Sequence, residues 1–213
     1  MKSICRLFLL LTAFIYLSPA VAEDQFEKDI EAIREIYLAA TDGNKRAVRK
    51  AIKSIAKIER KYPNHPLVMS YKGGALSLRG MNIGARPLNR MRETEEGLRV
   101  IDRALRMLPR HKGNYLEAVE AQLVAAYIFI NLPDSIFHRL KEGNHLVEKL
   151  LAHNQISQMP DGLQAAIYFA AATSAGKYEA QDRVKHYLEL TLKTDPDGKN
   201  AKEAQALLKD IAG

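Results

Sequence analysis

Apolar stripes of helical period recur in pairs along this chain, and prolines close them in IERKYPNHP around Pro63, ALRMLPRH around Pro109 and LKTDPDG around Pro196. Proline fixes φ and has no N–H to donate, so each of these positions ends a helix rather than extending it. No stretch alternates apolar and polar residues with β-branched enrichment, so strands are not expected. The pattern predicts an all-α fold of antiparallel helix pairs, about nine helices in all.

The first 22 residues read differently from the rest. Lys2 and Arg6 precede an apolar run from Leu7 to Leu17, followed by Ser18, Pro19 and the small residues Ala20, Val21 and Ala22 before Glu23. This is the order of a cleavable secretory signal, with an apolar run too short to span a hydrocarbon layer of about 30 Å. Cys5 lies ahead of the apolar run, where a lipoprotein cysteine does not sit. Cleavage after Ala22 would leave residues 23–213 as one domain, periplasmic or secreted. It would also remove Cys5, the chain's one cysteine. The mature chain would then have no disulfide, thiolate nucleophile or cysteine-ligated metal. Losing Lys2 and Arg6 takes two positive charges from the formal net charge of +7.

Within 24–41, Phe26, Ile30, Ile33, Tyr37 and Leu38 fall on one helical stripe, and Asp42, Gly43 and Asn44 make a turn. A second helix follows over 45–61, with Val48, Ala51, Ile52, Ile55 and Ile58 inward. Helical period continues over 66–79, where Gly73 and Gly74 each cost about 1 kcal/mol against alanine and so imply a closely packed neighbour. Residues 80–87 read as irregular, and 88–108 as a long helix on Leu98, Ile101, Leu105 and Leu108. The stretch 114–132 is the most apolar of the mature chain. Glu117, Glu120 and Gln122 interrupt it, which marks a central buried helix rather than a membrane span. Helices are further predicted over 135–153, with a kink at Gly143, then from Pro160 to about 175, over 178–194, and over 200–211 as a cap.

These pairs resemble tetratricopeptide repeats, whose unit of about 34 residues packs two helices through small side chains and ends in proline. Ala39, Ala51, Ile55, Ile58 and Pro63 fit one unit; Tyr71, Gly73, Leu76, Gly97, Ile101, Ala104 and Pro109 a second; Phe169, Ala172, Val184, Leu188 and Pro196 a third. In the second, Gly73 to Pro109 spans 36 positions against about 24 in the family, which predicts roughly twelve inserted residues near 79–90. Residues 114–153 fit weakly, and tryptophan is absent. The resemblance implies a short right-handed solenoid whose first helices line an inner surface. It further implies a non-catalytic scaffold for a protein or peptide partner in the cell envelope.

Two basic features suit a partner. Lys45, Arg49, Lys53, Lys57 and Lys61 recur every four residues, one stripe opposite the isoleucines of that helix. Arg49, Lys53 and Lys57 at its centre suit an anionic lipid or envelope polymer, the alternative function, while the bland reading is a solvated face balanced by the acids of 23–35. Arg79, Arg86, Arg90 and Arg92 gather on the expected insertion, where guanidinium forks suit carboxylates. Tyr71, Tyr115, Tyr127, Tyr168, Phe129 and Phe169 fall on first helices, as core or as peptide anchors. No cofactor or nucleic acid is expected. Glu142 with His145, His145 with Glu148, and His186 with Glu189 have metal-compatible spacing, but one pair is not a site, and no metal is assigned. G-x-S-x-G, H-E-x-x-H and a phosphate-binding glycine loop are all missing from the sequence.

Overall fold

The computed structural model describes residues 19–41, 43–81 and 87–212. Among them are ten α-helices and no strand: α1 (Pro19–Thr41), α2 (Lys45–Lys61), α3 (Pro66–Met81), α4 (Pro87–Met107), α5 (Tyr115–Asn131), α6 (Asp134–Phe137), α7 (Leu140–Leu151), α8 (Asp161–Lys177), α9 (Gln181–Thr194) and α10 (Ala201–Ala212). The fold is all-α, as the proline-punctuated stripes require. No described helix is long and apolar enough to cross a membrane. Most of the expected signal, residues 1–18, lies outside the described residues, and α1 runs unbroken from Pro19 through the expected cleavage position.

Helix ends follow local chemistry. Asn44 caps α2 by accepting from the Arg46 and Ala47 amides at 2.9 and 3.2 Å, and Asn114 caps α5 through the Leu116 amide at 3.1 Å. Such caps are worth about 1 kcal/mol each. Gly43, at φ +76°, supplies the left-handed turn ahead of α2, while Asp42 lies outside the described residues.

Each long helix packs on its sequence neighbour to form the pairs α1/α2, α3/α4, α5/α7 and α8/α9, with α10 against α9. The first helices also touch in series: α1 on α3, α3 on α5, and α5 on α8. The main core runs through α1 to α5, with Ile30 and Ile33 of α1, Ile55 of α2, Leu67 of α3, Ile101 of α4 and Ile128 and Phe129 of α5 fully buried, and a smaller cluster around Leu188 and Ala204 joins α8, α9 and α10. Burial of one such side chain contributes about 1.5–3 kcal/mol.

Glycine sets the tightest contact. A Cβ on Gly73 would lie 2.6 Å from the Gly97 carbonyl oxygen, and one on Gly97 would lie 2.5 Å from the Gly73 carbonyl oxygen. Gly80 likewise abuts the Arg90 carbonyl oxygen and Thr94, so α3 and α4 meet backbone to backbone. Gly74 faces the other way and admits the Tyr37 hydroxyl of α1. The closely packed neighbour expected at Gly73 and Gly74 is thus two neighbours, one on each side of α3.

Two expectations are corrected. The twelve-residue insertion near 79–90 is not a loop of that length: α3 continues to Met81 and α4 begins at Pro87, so the additional residues mostly lengthen the two helices. The helix expected over 135–153 is broken, which brings the count to ten, and the break is not at Gly143. His138 takes a left-handed conformation at φ 53°, and the Asp134 carboxylate restarts the chain by accepting from the Leu140 amide at 2.9 Å. Gly143 instead lies inside α7 against α5, where a Cβ would come within 2.9 Å of Ile130.

Candidate functional site

The first helices line a half-open cavity of about 890 Å³. Its walls come from α1 (Arg34, Tyr37, Leu38), α3 (Tyr71), α5 (Leu116, Glu120, Leu123, Val124, Tyr127) and α8 (Leu163, Ala166, Phe169, Ala170). Lys199, Asn200 and Glu203, at the entry to α10, complete it, and no residue of α2, α4, α7 or α9 lines it. The Lys199 ammonium donates to the Leu38 carbonyl at 2.5 Å and to the Thr41 hydroxyl at 3.3 Å. That clasp joins the entry of the last helix to the end of the first, at the rim of the space.

One polar network crosses the wall. Arg34 forks onto Glu120, Nε to Oε1 and Nη2 to Oε2, both at 2.8 Å, while Nη1 donates to Glu27 at 2.6 Å and to Glu31 at 2.8 Å. Tyr71 donates its hydroxyl to Glu120 Oε1 and meets the Tyr37 ring edge-on at 5.0 Å. Hydrogen bonding to Glu120 pushes the Arg34 guanidinium pKa up against the opposing effect of burial. Burial pushes the Tyr37 and Tyr71 hydroxyls up as well, and the Glu120 charge adds to the effect at Tyr71. Both tyrosines therefore stay protonated. The network ties α1, α3 and α5 together through bidentate, charge-assisted bonds among Arg34, Glu120 and Tyr71, while the buried Tyr37 hydroxyl beside it takes no hydrogen-bond partner among the described residues. What faces the space between them is mainly aliphatic and aromatic, a lining typical of sites that take an apolar ligand or side chain.

Charge also selects. Four carboxylates (Glu27, Glu31, Glu120 and Glu203) line the cavity against two cations, Arg34 and Lys199. A lining with excess negative charge repels anions.

The residues singled out from sequence are scattered. Tyr71 lines the cavity, but it is buried and its hydroxyl is committed to Glu120. Arg79 lies on α3 and pairs with Glu93 of α4 at 3.1 Å. Arg90 lies on α4 and donates to the carbonyl oxygens of Gly80 at 3.2 Å and Met81 at 3.5 Å, so it caps the end of α3. Arg92 is exposed on α4, and Arg86 lies outside the described residues. On α2, Arg49, Lys53 and Lys57 are exposed and take no acid among the described residues, whereas Lys61 pairs with Asp29 of α1 at 2.9 Å. Of the aromatics, Tyr127 and Phe169 reach the cavity, Phe129 is fully buried under the Arg139 guanidinium, and Tyr115 stacks on His153.

The sequence-spaced pairs Glu142/His145 and His145/Glu148 are diverted, because Glu142 pairs with Arg139 and Glu148 with Arg183. A different trio converges instead: His65, His111 and Glu117, from three separate elements. No helical spacing links these residues, so periodicity could not find them. Arg34 and Glu120, 86 positions apart, escaped for the same reason.

No family model, curated protein or solved structure matches this chain.

Proposed function

We propose that this protein is a non-catalytic, exported binding protein of tetratricopeptide-like design, which holds an apolar segment of a protein or peptide partner in the cavity lined by its first helices. The observation that carries the reading is that cavity: about 890 Å³, mainly apolar, walled by α1, α3, α5 and α8, and negative in its charged lining. Phe169 and Tyr127 supply aromatic anchors, and the Arg34–Glu120–Tyr71 network keeps the wall in place. The excess of carboxylates favours a neutral or basic segment over an acidic one. Serial contact of consecutive helix pairs supports the repeat-like reading, and the order of residues 1–22 supports export.

The chain has no tryptophan, so Phe169→Trp places a single fluorophore in the cavity. Titration with peptides from a proteolysed envelope-protein fraction is expected to shift its emission to the blue. Emission that stays fixed at every peptide load argues against the cavity as the binding surface.

The second reading is attachment to an anionic lipid or envelope polymer, favoured by the exposed Arg49, Lys53 and Lys57 on α2, away from the cavity. It predicts salt-sensitive sedimentation with anionic vesicles that is lost on reversing these three charges to glutamate. Sedimentation that survives the reversal removes it.

A further inference from the structure

At one end of the helix array, three chain segments bring two imidazoles and a carboxylate together. His65 lies just before α3, His111 in the turn after α4, and Glu117 in the first turn of α5. His111 Nε2 lies 3.1 Å and His65 Nε2 3.3 Å from the same oxygen, Glu117 Oε2. The ligating atoms of all three residues lie within 4.8 Å of one another.

The two distances to Glu117 Oε2 match edges of a coordination shell. Zinc holds imidazole nitrogen and carboxylate oxygen at about 2.0–2.2 Å, so adjacent ligands of a tetrahedral site stand about 3.3–3.5 Å apart. The edges from His65 and His111 to Glu117 Oε2, 3.3 and 3.1 Å, are within a few tenths of an ångström of that. The chemistry agrees too, since two imidazoles and one carboxylate form an established zinc ligand set with a fourth position open to water. We propose that His65 Nε2, His111 Nε2 and Glu117 Oε2 bind a Zn²⁺ ion, with water as the fourth ligand.

The surroundings support a built site. All three side chains are mostly covered, at 16, 24 and 18 % exposure for His65, His111 and Glu117. The Phe26 ring of α1 packs on His65 at 4.4 Å between centroids, and His65 and His111 meet edge-on at 4.5 Å. The Phe26 contact limits rotation of the His65 ring, whose Nδ1 is buried without a partner among the described residues and so lacks the second hydrogen bond that metal-bound imidazoles ordinarily make. Gly113 leaves the space open: a Cβ there would stand 2.2 Å from Glu117 Oε2 and 2.4 Å from His111 Nε2. An ion held here ties the start of α3, the exit from α4 and the start of α5, and so fastens two consecutive helix pairs.

The test uses the full chain, stripped with chelator and titrated with Zn²⁺ by calorimetry, and with Co²⁺ by visible absorption. The expected result is one ion per chain, strong d–d bands of four-coordinate Co²⁺ that Zn²⁺ abolishes, and a higher Tm with zinc, because a ligand of the native state stabilises it. Loss of an outer-shell partner typically weakens a metal site 10–100-fold. His111→Ala and Glu117→Gln, which remove direct ligands, should therefore weaken zinc by at least roughly tenfold. Gly113→Ala, in an exposed turn, keeps every ligand but crowds two of them and should also weaken it. His145→Ala should leave affinity unchanged. Absence of stoichiometric binding by the unmutated chain, or octahedral Co²⁺ spectra, overturns the proposal. Zinc affinity equal in unmutated protein, His111→Ala and Gly113→Ala does the same.

Discussion

Replacing Gly97 with alanine isolates the contact on which the helix array depends. The added methyl would stand 2.3 Å from Ser77 Oγ, 2.5 Å from the Gly73 carbonyl oxygen and 2.7 Å from the Ser77 amide nitrogen. Ser77 Oγ can rotate away, but the two backbone atoms cannot. Ordinary contact at about 3.4 Å requires α3 and α4 to separate by nearly 1 Å along their closest line. Overpacking of this kind costs about 1–3 kcal/mol, and the backbone opposition puts this site at the upper end. Alanine returns about 1 kcal/mol of helix propensity, for a net loss of about 2 kcal/mol. For a domain of this size that lowers Tm by roughly 4–8 °C. The matched control is Gly176→Ala near the end of α8, where the nearest atom to a Cβ is Val184 Cγ2 at 3.8 Å. There propensity acts unopposed, and stability should rise by up to about 1 kcal/mol. Urea unfolding followed by circular dichroism at 222 nm reads both. Equal stability of Gly97→Ala and the unmutated protein would refute the packing argument.

Glu120→Ala, read by the same assay, should cost about 1–3 kcal/mol, because it removes the acceptor of the buried Tyr71 hydroxyl and of two Arg34 N–H groups, while Arg34 keeps Glu27 and Glu31. Lys53→Ala, on the exposed stripe, should stay within about 0.5 kcal/mol of the unmutated protein. Burial raises the Asp29 pKa, but hydrogen bonds from Lys61 and Tyr62 outweigh it and hold the carboxyl below its ordinary value of 3.8. A depressed carboxyl stabilises the fold above pH 3.8, and that contribution is lost as pH falls through the lower folded value. Acid unfolding of Asp29→Asn should accordingly lack this component, seen as a shallower loss of Tm below pH 4. Tyr62 is pushed up to about 12 by burial and by Asp29, and Tyr37 and Tyr71 are also raised. All three should stay neutral in the native protein at pH 11, and tyrosinate absorbance at 295 nm should reveal them on unfolding.

Local features of the sequence were legible because their physics is local. The helix expected over 45–61 and the one expected over 114–132 appear where apolar period put them, as Lys45–Lys61 and Tyr115–Asn131. Gly73 and Gly74, costly inside a helix, announced close packing that Gly97, Ile101 and Tyr37 supply. Periodicity failed at His138, because Phe137 and Leu140 keep an apolar spacing across a left-handed residue that Asp134 stabilises from outside the stripe. Proximity in sequence also misled. Arg79 and Arg90 look like one basic cluster, yet facing helices use them separately, on Glu93 and on the carbonyl end of α3. The cavity was only partly foreseeable. First-helix aromatics pointed toward an inner surface, but the closing contact joins Lys199 to Leu38 across 161 positions, and no local pattern records such a pairing.

The most direct test of the central claim is photo-crosslinking in intact cells from a benzoylphenylalanine placed at Leu123 in the cavity or at Lys53 on the outer stripe, with and without Ala166→Trp to fill the space. The expected result is a discrete protein adduct from position 123 that Ala166→Trp abolishes, in a variant that still folds by circular dichroism, and none from position 53. An adduct from position 53 alone, or one from position 123 that persists when the cavity is filled, contradicts it.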